Sequence, residues 1–195
     1  MNTTVAIDIC SNALMLLGHK PIASFDEEGT GAQVSKAFYE SSYRAKLGGY
    51  TWNFAKQKVL LTKMNEEPLN QWKYMYQLPT DHIRTITVFP HSDYTIVKDK
   101  VYSDTDNLEM DFIYRVDESF MTALFREAFE IYLAGKFAVS VTENVTAADA
   151  WMKQSDRAFK SAKTVDAQEK PNRGSVEAAA IPYRLRGGGH GRGRY

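Results

Sequence analysis

Cysteine is almost missing. Cys10 stands alone in 195 residues, so no disulfide can close within the chain and thiolate metal sites are excluded. A reducing compartment is expected. Long apolar runs are missing as well. No stretch of 18 apolar residues occurs, so no segment predicts a membrane-spanning helix. The first 17 residues lack a cationic start and carry Asp8, unlike a secretory signal. Net charge is absent, because 24 Lys and Arg balance 24 Asp and Glu. That balance argues against a dedicated nucleic-acid binder, which carries a basic excess.

The usual signs of chemistry are also scarce. His19, His82, His91 and His190 are scattered, none with a second His or Cys at metal-ligand spacing. Asp104-x-Asp106-Asn107 opens like a calcium loop, but Glu109 replaces the glycine at position six and Arg115 the glutamate at twelve. A plain turn is expected there. No glycine-rich phosphate loop follows an expected strand. The chain predicts no metal, no cofactor and no internal repeat. One pairing of carboxylates remains open: Asp26, Glu27 and Glu28 share a loop, and a glycan hydrolase needs only two acids. The plainer reading is a solvated acidic loop that favours the N-terminus of the following helix.

What is present is periodicity. In residues 71–116, Trp72, Tyr74, Tyr76 and Leu78 alternate with Lys73, Met75 and Gln77. Leu108, Met110, Phe112, Tyr114 and Val116 alternate with Glu109, Asp111, Ile113 and Arg115. Period two predicts strands, apolar on one face and mixed on the other. Further strands are expected near 58–62, 83–89, 94–97 and 100–103, the last two joined about Asp99. Helical spacing flanks this block. Ala6, Ile9, Cys10, Ala13, Leu16 and Leu17 predict a first helix over 4–17, closed by Gly18 and Pro21. Thr30 and Gln33 match a capping box for a second helix, ended by Gly48-Gly49. Trp52 and Phe54 are expected to plug the junction. A third helix over 118–140, apolar on two sides, is expected to be central. A fourth is expected from Thr146, with Asp149 as its box partner, to about 167.

These readings define an α+β chain: an antiparallel helical bundle with an inserted small antiparallel β-domain and a flexible C-terminal arm. The parts are a first helical half (1–55), a β-rich insert (56–116), a second helical half (117–169) and an extended arm (170–195). Residues 171–195 hold five arginines and one acid, against 19 basic and 23 acidic residues in 1–170, an asymmetry typical of a working tail. Its ten-residue end holds five glycines and cannot order itself alone. Tyr183 and Leu185 beside Arg184 and Arg186 have the make-up of a docking anchor. Arg192, Arg194 and Tyr195 complete the expected partner-binding set. An Arg/Gly contact to nucleic-acid phosphates and an inert end are the alternatives.

An ordered series of short motifs resembles the tail tubular protein A family of short-tailed bacteriophages. The series begins with Ala13-Leu14-Met15-Leu16-Leu17-Gly18-His19-Lys20-Pro21-Ile22, then Trp52-Asn53-Phe54-Ala55 and Tyr74-Met75-Tyr76-Gln77-Leu78-Pro79-Thr80-Asp81. It continues with Phe112-Ile113-Tyr114-Arg115-Val116, Phe120 with Ala123-Leu124, and Ala162 with Asp166-Ala167-Gln168-Glu169. The resemblance spans about residues 5–169. It implies a virion structural protein, not an enzyme: a head-to-tail adaptor that forms a ring, twelvefold in relatives, between the portal protein and the tail nozzle protein. Such a ring lines the channel through which double-stranded DNA passes without specific binding, and it is assembled in the host cytoplasm without a membrane. In related adaptors a C-terminal arm climbs the portal. Some relatives degrade cell-wall glycans, but no matched motif carries that site. A tail-associated glycan or peptidoglycan hydrolase and an Arg/Gly nucleic-acid binder are the alternative functions.

Overall fold

The computed structural model describes residues 2–66, 68 and 71–169. Four helices are present: α1 (Thr3–Leu16), α2 (Thr30–Gly48), α3 (Ala123–Thr142) and α4 (Val145–Gln168). Between α2 and α3 lie six strands, β1 (Lys56–Leu60), β2 (Tyr74–Gln77), β3 (His82–Phe89), β4 (Tyr94–Val97), β5 (Lys100–Ser103) and β6 (Glu109–Tyr114). They form two three-stranded antiparallel sheets, ordered β1-β6-β3 and β2-β5-β4. The chain is thus α+β, with its strands gathered in one insert.

The helix ends differ from expectation in their caps. Thr30 is the first residue of α2, and the N-cap is Gly29 with φ of 131° and no side-chain bond. The Thr30/Gln33 box therefore does not form, because the glycine turn places Thr30 one position too late. The helix-four box does not form either. Asn144 is the N-cap of α4, and its side chain accepts the Ala147 N–H at 3.0 Å. The expected third helix is split. Residues 118–120 form a separate 3-10 turn, and Thr122 caps α3 by accepting the Phe125 N–H. Gly18 takes the left-handed conformation expected of it, φ +72°, where glycine carries no Cβ penalty.

Ten α3 residues between Phe125 and Ala138 are buried, and α3 packs against α1, α2 and α4. The Asn2 N–H donates to Glu118 and Asn12 Nδ2 donates to Glu130, so α1 runs the same way as α3. Tyr39 meets Phe129 and Tyr43 meets Phe125, so α2 runs the opposite way. Phe125 meets Phe159 while Gly135 faces Met152, so α4 is also opposed to α3. Tyr39, Tyr43, Trp52, Phe125, Phe129 and Phe159 form a connected set of rings. Each such ring, fully buried, stabilises by roughly 1.5–3 kcal/mol through apolar area alone.

A second, smaller core of Leu61, Tyr76, Val88, Val101, Leu108, Met110 and Phe112 lies within the strand insert. The segment after β1 passes from one sheet to the other. The Leu61 N–H donates to the Leu108 carbonyl, and then residues 62–64 pair with β2. Strand β6 serves both cores. Met110 and Phe112 enter the small core, while Ile113 enters the helical one. The alternation was expected to leave Ile113 on a mixed face. That face is instead covered at Ile113, where Ile83, Ile86 and Ile113 press against the helices.

Candidate functional site

The arm residues Tyr183, Arg184, Leu185, Arg186, Arg192, Arg194 and Tyr195 lie outside the described residues. The acidic loop is described, and two of its carboxylates are engaged locally. Asp26 pairs with Lys36 at 2.7 Å, which holds its carboxyl below the usual range. Glu27 accepts the Ala23 N–H at 2.8 Å. A general acid requires the opposite shift, an elevated carboxyl in a dry pocket. Asp26, Glu27 and Glu28 are all exposed. Asp104 and Asp106 accept bonds from the Lys73 N–H and Lys63 Nζ, which makes that segment a tied turn. No group of three or more His, Cys, Asp and Glu among the described residues is arranged to hold a metal. None of their helices is long and apolar enough to cross a membrane. Burial pushes the Cys10 thiol up to about 12, far from the thiolate form needed for reactivity.

Residues of the ordered motif series meet one another. Asn53 donates its N–H to Asp166 Oδ1 at 2.9 Å and its amide Nδ2 to the Asp166 carbonyl at 2.6 Å. The Trp52-Asn53-Phe54-Ala55 turn is thereby locked to the end of α4. The Arg115 N–H donates to the Asp81 carbonyl at 2.8 Å, which joins the end of β6 to the turn before β3. Ser11 and Ile22 clasp the loop after α1 through two bonds of 3.0 and 3.1 Å.

Where strands meet helices, Arg115 makes the densest polar contact. Its guanidinium reaches Glu118 at 2.6 Å and Glu40 at 2.8 Å, and it lies 4.6 Å over the Tyr43 ring. Glu118 also accepts the Tyr39 hydroxyl and the Asn2 N–H. Burial pushes Glu40 up, but hydrogen bonds and charge from Arg115 and Arg44 outweigh it and leave the carboxyl below its ordinary value. Burial raises the Tyr39 and Tyr43 hydroxyls. With every partner satisfied, the network is a latch between elements and has no free acid or base.

A cleft of about 310 Å³ opens between the C-terminal end of α2 and α4. Trp52 and Phe159 form its floor, and Lys46, Lys160, Lys163 and Asp156 rim it. Lys46 Nζ lies 3.8 Å over the Tyr132 ring and 4.7 Å over Phe159. Desolvation lowers its pKa, and Lys136 and Lys163 add repulsion that Asp156 opposes. Lys153 continues the same stripe two turns before Lys160 on α4. Among the described residues, neither Lys46, Lys153, Lys160 nor Lys163 is in an ion pair. By contrast Lys36, Arg44, Lys58, Lys63, Lys100, Arg115 and Arg126 all are. The sequence reading missed this cleft. It followed the small apolar residues of α4, although lysines at 153, 160 and 163 recur at i, i+7 and i+10, which is one helical face.

Large apolar side chains stand exposed at both ends of the helical part. Met15, Leu16, Val139 and Val145 belong to one end by helix direction, and Phe120 (66% exposed) and Leu124 to the other. No protein-family model matches the chain, and no curated protein matches it.

Proposed function

We propose that the chain is a head-to-tail adaptor of a short-tailed bacteriophage virion, similar in role to the tail tubular protein A family. Subunits close a ring, twelvefold as in relatives, between the portal protein and the tail nozzle protein, and the ring surrounds the DNA channel. The fold that accompanies this reading is an antiparallel bundle, its helices alternating in direction, with the strand insert as a β-domain and residues 170–195 as an arm.

One observation carries the proposal. The motif residues that resemble the family engage one another at joints between elements, Asn53 with Asp166 and Arg115 with Asp81. Such residues maintain a shape, which is what a ring subunit has to supply. The exposed apolar side chains at both ends of the helical part add support, since they suit a subunit stacked between partners. The hydrolase alternative draws no comparable support, because Asp26 is paired with Lys36 of α2 and Glu27 accepts the Ala23 N–H.

In this reading Tyr183, Arg184, Leu185 and Arg186 anchor the arm on the portal, with Arg192, Arg194 and Tyr195 extending it. The test is the native mass of the protein alone and mixed with its cognate portal ring, for the full chain and for residues 1–170. The full chain is expected to shift the portal by the mass of a complete ring, and the truncation to weaken that shift. Absence of any shift with the full chain defeats the adaptor reading.

A further inference from the structure

We propose that the lysine-lined cleft between the C-terminal end of α2 and α4 is a contact for the phosphodiester backbone of duplex DNA, made without reading sequence. The inference stands on the cleft itself, so it survives or fails independently of portal docking.

Three features point to this ligand. The first is uncompensated charge. Lys46, Lys160 and Lys163 converge on one cleft with Asp156 as its single acid, and none of the three is in an ion pair among the described residues.

The second feature is length. Lys153, Lys160 and Lys163 lie along one face of α4 over ten residues, a span of about 15 Å at ~1.5 Å per residue. Duplex DNA presents one charge per roughly 1.7 Å of axis, so a row of this length meets several phosphates. A single small anion would engage one end of it.

The third feature is the state of the rings. Trp52 is 1% exposed, and Phe159 and Tyr132 are also buried. They form a floor under the lysines and offer no open face for a base to stack on, which single-strand binders require. The rim residues are also lysines, point charges on flexible stems, and not the planar forks that read guanine edges. The chemistry is therefore backbone contact alone. The strained position of Lys46, desolvated and beside like charges, is relieved when a phosphate supplies the missing counter-charge. Asp156 keeps the contact weak, as suits a surface along which DNA has to move.

The experiment is anisotropy of labelled duplexes of about 20 base pairs with the full-length protein, across salt from about 50 to 200 mM. A·T-rich and G·C-rich duplexes are expected to bind alike. With four phosphate contacts, one each for Lys46, Lys153, Lys160 and Lys163, the plot of log K against log salt should fall with a slope of about −3.6. Lys160→Gln with Lys163→Gln should flatten that slope by about 2, and Lys153→Gln, at an exposed position, by about 1. Asp156→Asn should tighten binding. The thermal midpoint followed by Trp fluorescence controls for folding, and Lys153→Gln decides the matter if the double variant is unstable. A slope unchanged by all the lysine variants would place binding on the arm and overturn the proposal, as would no binding at the lowest salt. Tripolyphosphate competing as strongly as duplex, phosphate for phosphate, would show a small-anion site and overturn it too.

Discussion

Arg115 is 8% exposed at its side chain and faces two carboxylates, one of them, Glu118, fully buried. Removing a single member of such a set strands a charge away from water. Arg115→Met is therefore expected to destabilise by about 3–5 kcal/mol, read from urea unfolding, and Glu118→Gln in the same chain should recover part of the loss. The same variant has a pH signature. Glu40 is held below its ordinary value in the fold, so its contribution is present above the unfolded pKa. That contribution is lost as pH falls through the depressed folded value. In Arg115→Met this acid-side loss should shrink. The sequence offered little warning of the latch. Arg115 sits on the outward beat of a strand alternation, and its partner Glu40 is 75 residues away. Strand period assigns a face, and only tertiary packing decides what meets that face.

Helices α3 and α4 approach closely at Gly135. A Cβ there would stand 2.8 Å from Met152 Sδ and 3.2 Å from the Met152 backbone nitrogen. Gly135→Ala is expected to cost about 1–3 kcal/mol through overpacking, despite alanine's better helix propensity. A thermal melt checks the sign: stabilisation would mean that α4 gives way freely. At this scale the sequence was informative where periodicity runs long. All four helices and the strands near 83–89, 94–97 and 100–103 fall close to the expected spans. Caps were read less well. Thr30 and Gln33 have the right residue types for a box, but Gly29 takes the N-cap. A capping motif specifies a bond pattern without specifying which residue starts the helix.

The two hydrophobic cores meet through one strand. Phe112 belongs to the small core and its neighbour Ile113 to the helical core. Phe112→Ala and Ile113→Ala are each expected to destabilise by about 2–5 kcal/mol. Both should shift one shared transition, with Trp fluorescence and far-ultraviolet circular dichroism coinciding. Two separated transitions would show that the cores unfold as independent units. The division of the insert into two sheets was not legible from alternation, because period two describes a strand and says nothing of which strand lies beside it. The basic cleft was hidden for a related reason. Lys46 comes from α2 and the other lysines from α4, and the zero net charge of the chain masks their convergence.

Strands β1 and β6 lie side by side, with Lys56 opposite Ile113. The chain therefore leaves the helices and returns to them through adjacent positions, roughly 5 Å apart. To the helical framework, the whole insert has the footprint of one hairpin. Its demands on that footprint are few: apolar contacts equivalent to Ile83, Ile86 and Ile113 and the Arg115 latch. The insert is in this sense a cassette, free to grow, shrink or be exchanged over a lineage while the helices keep their register. Length variation between related chains is then cheapest in its distal turns, farthest from the shared doorway.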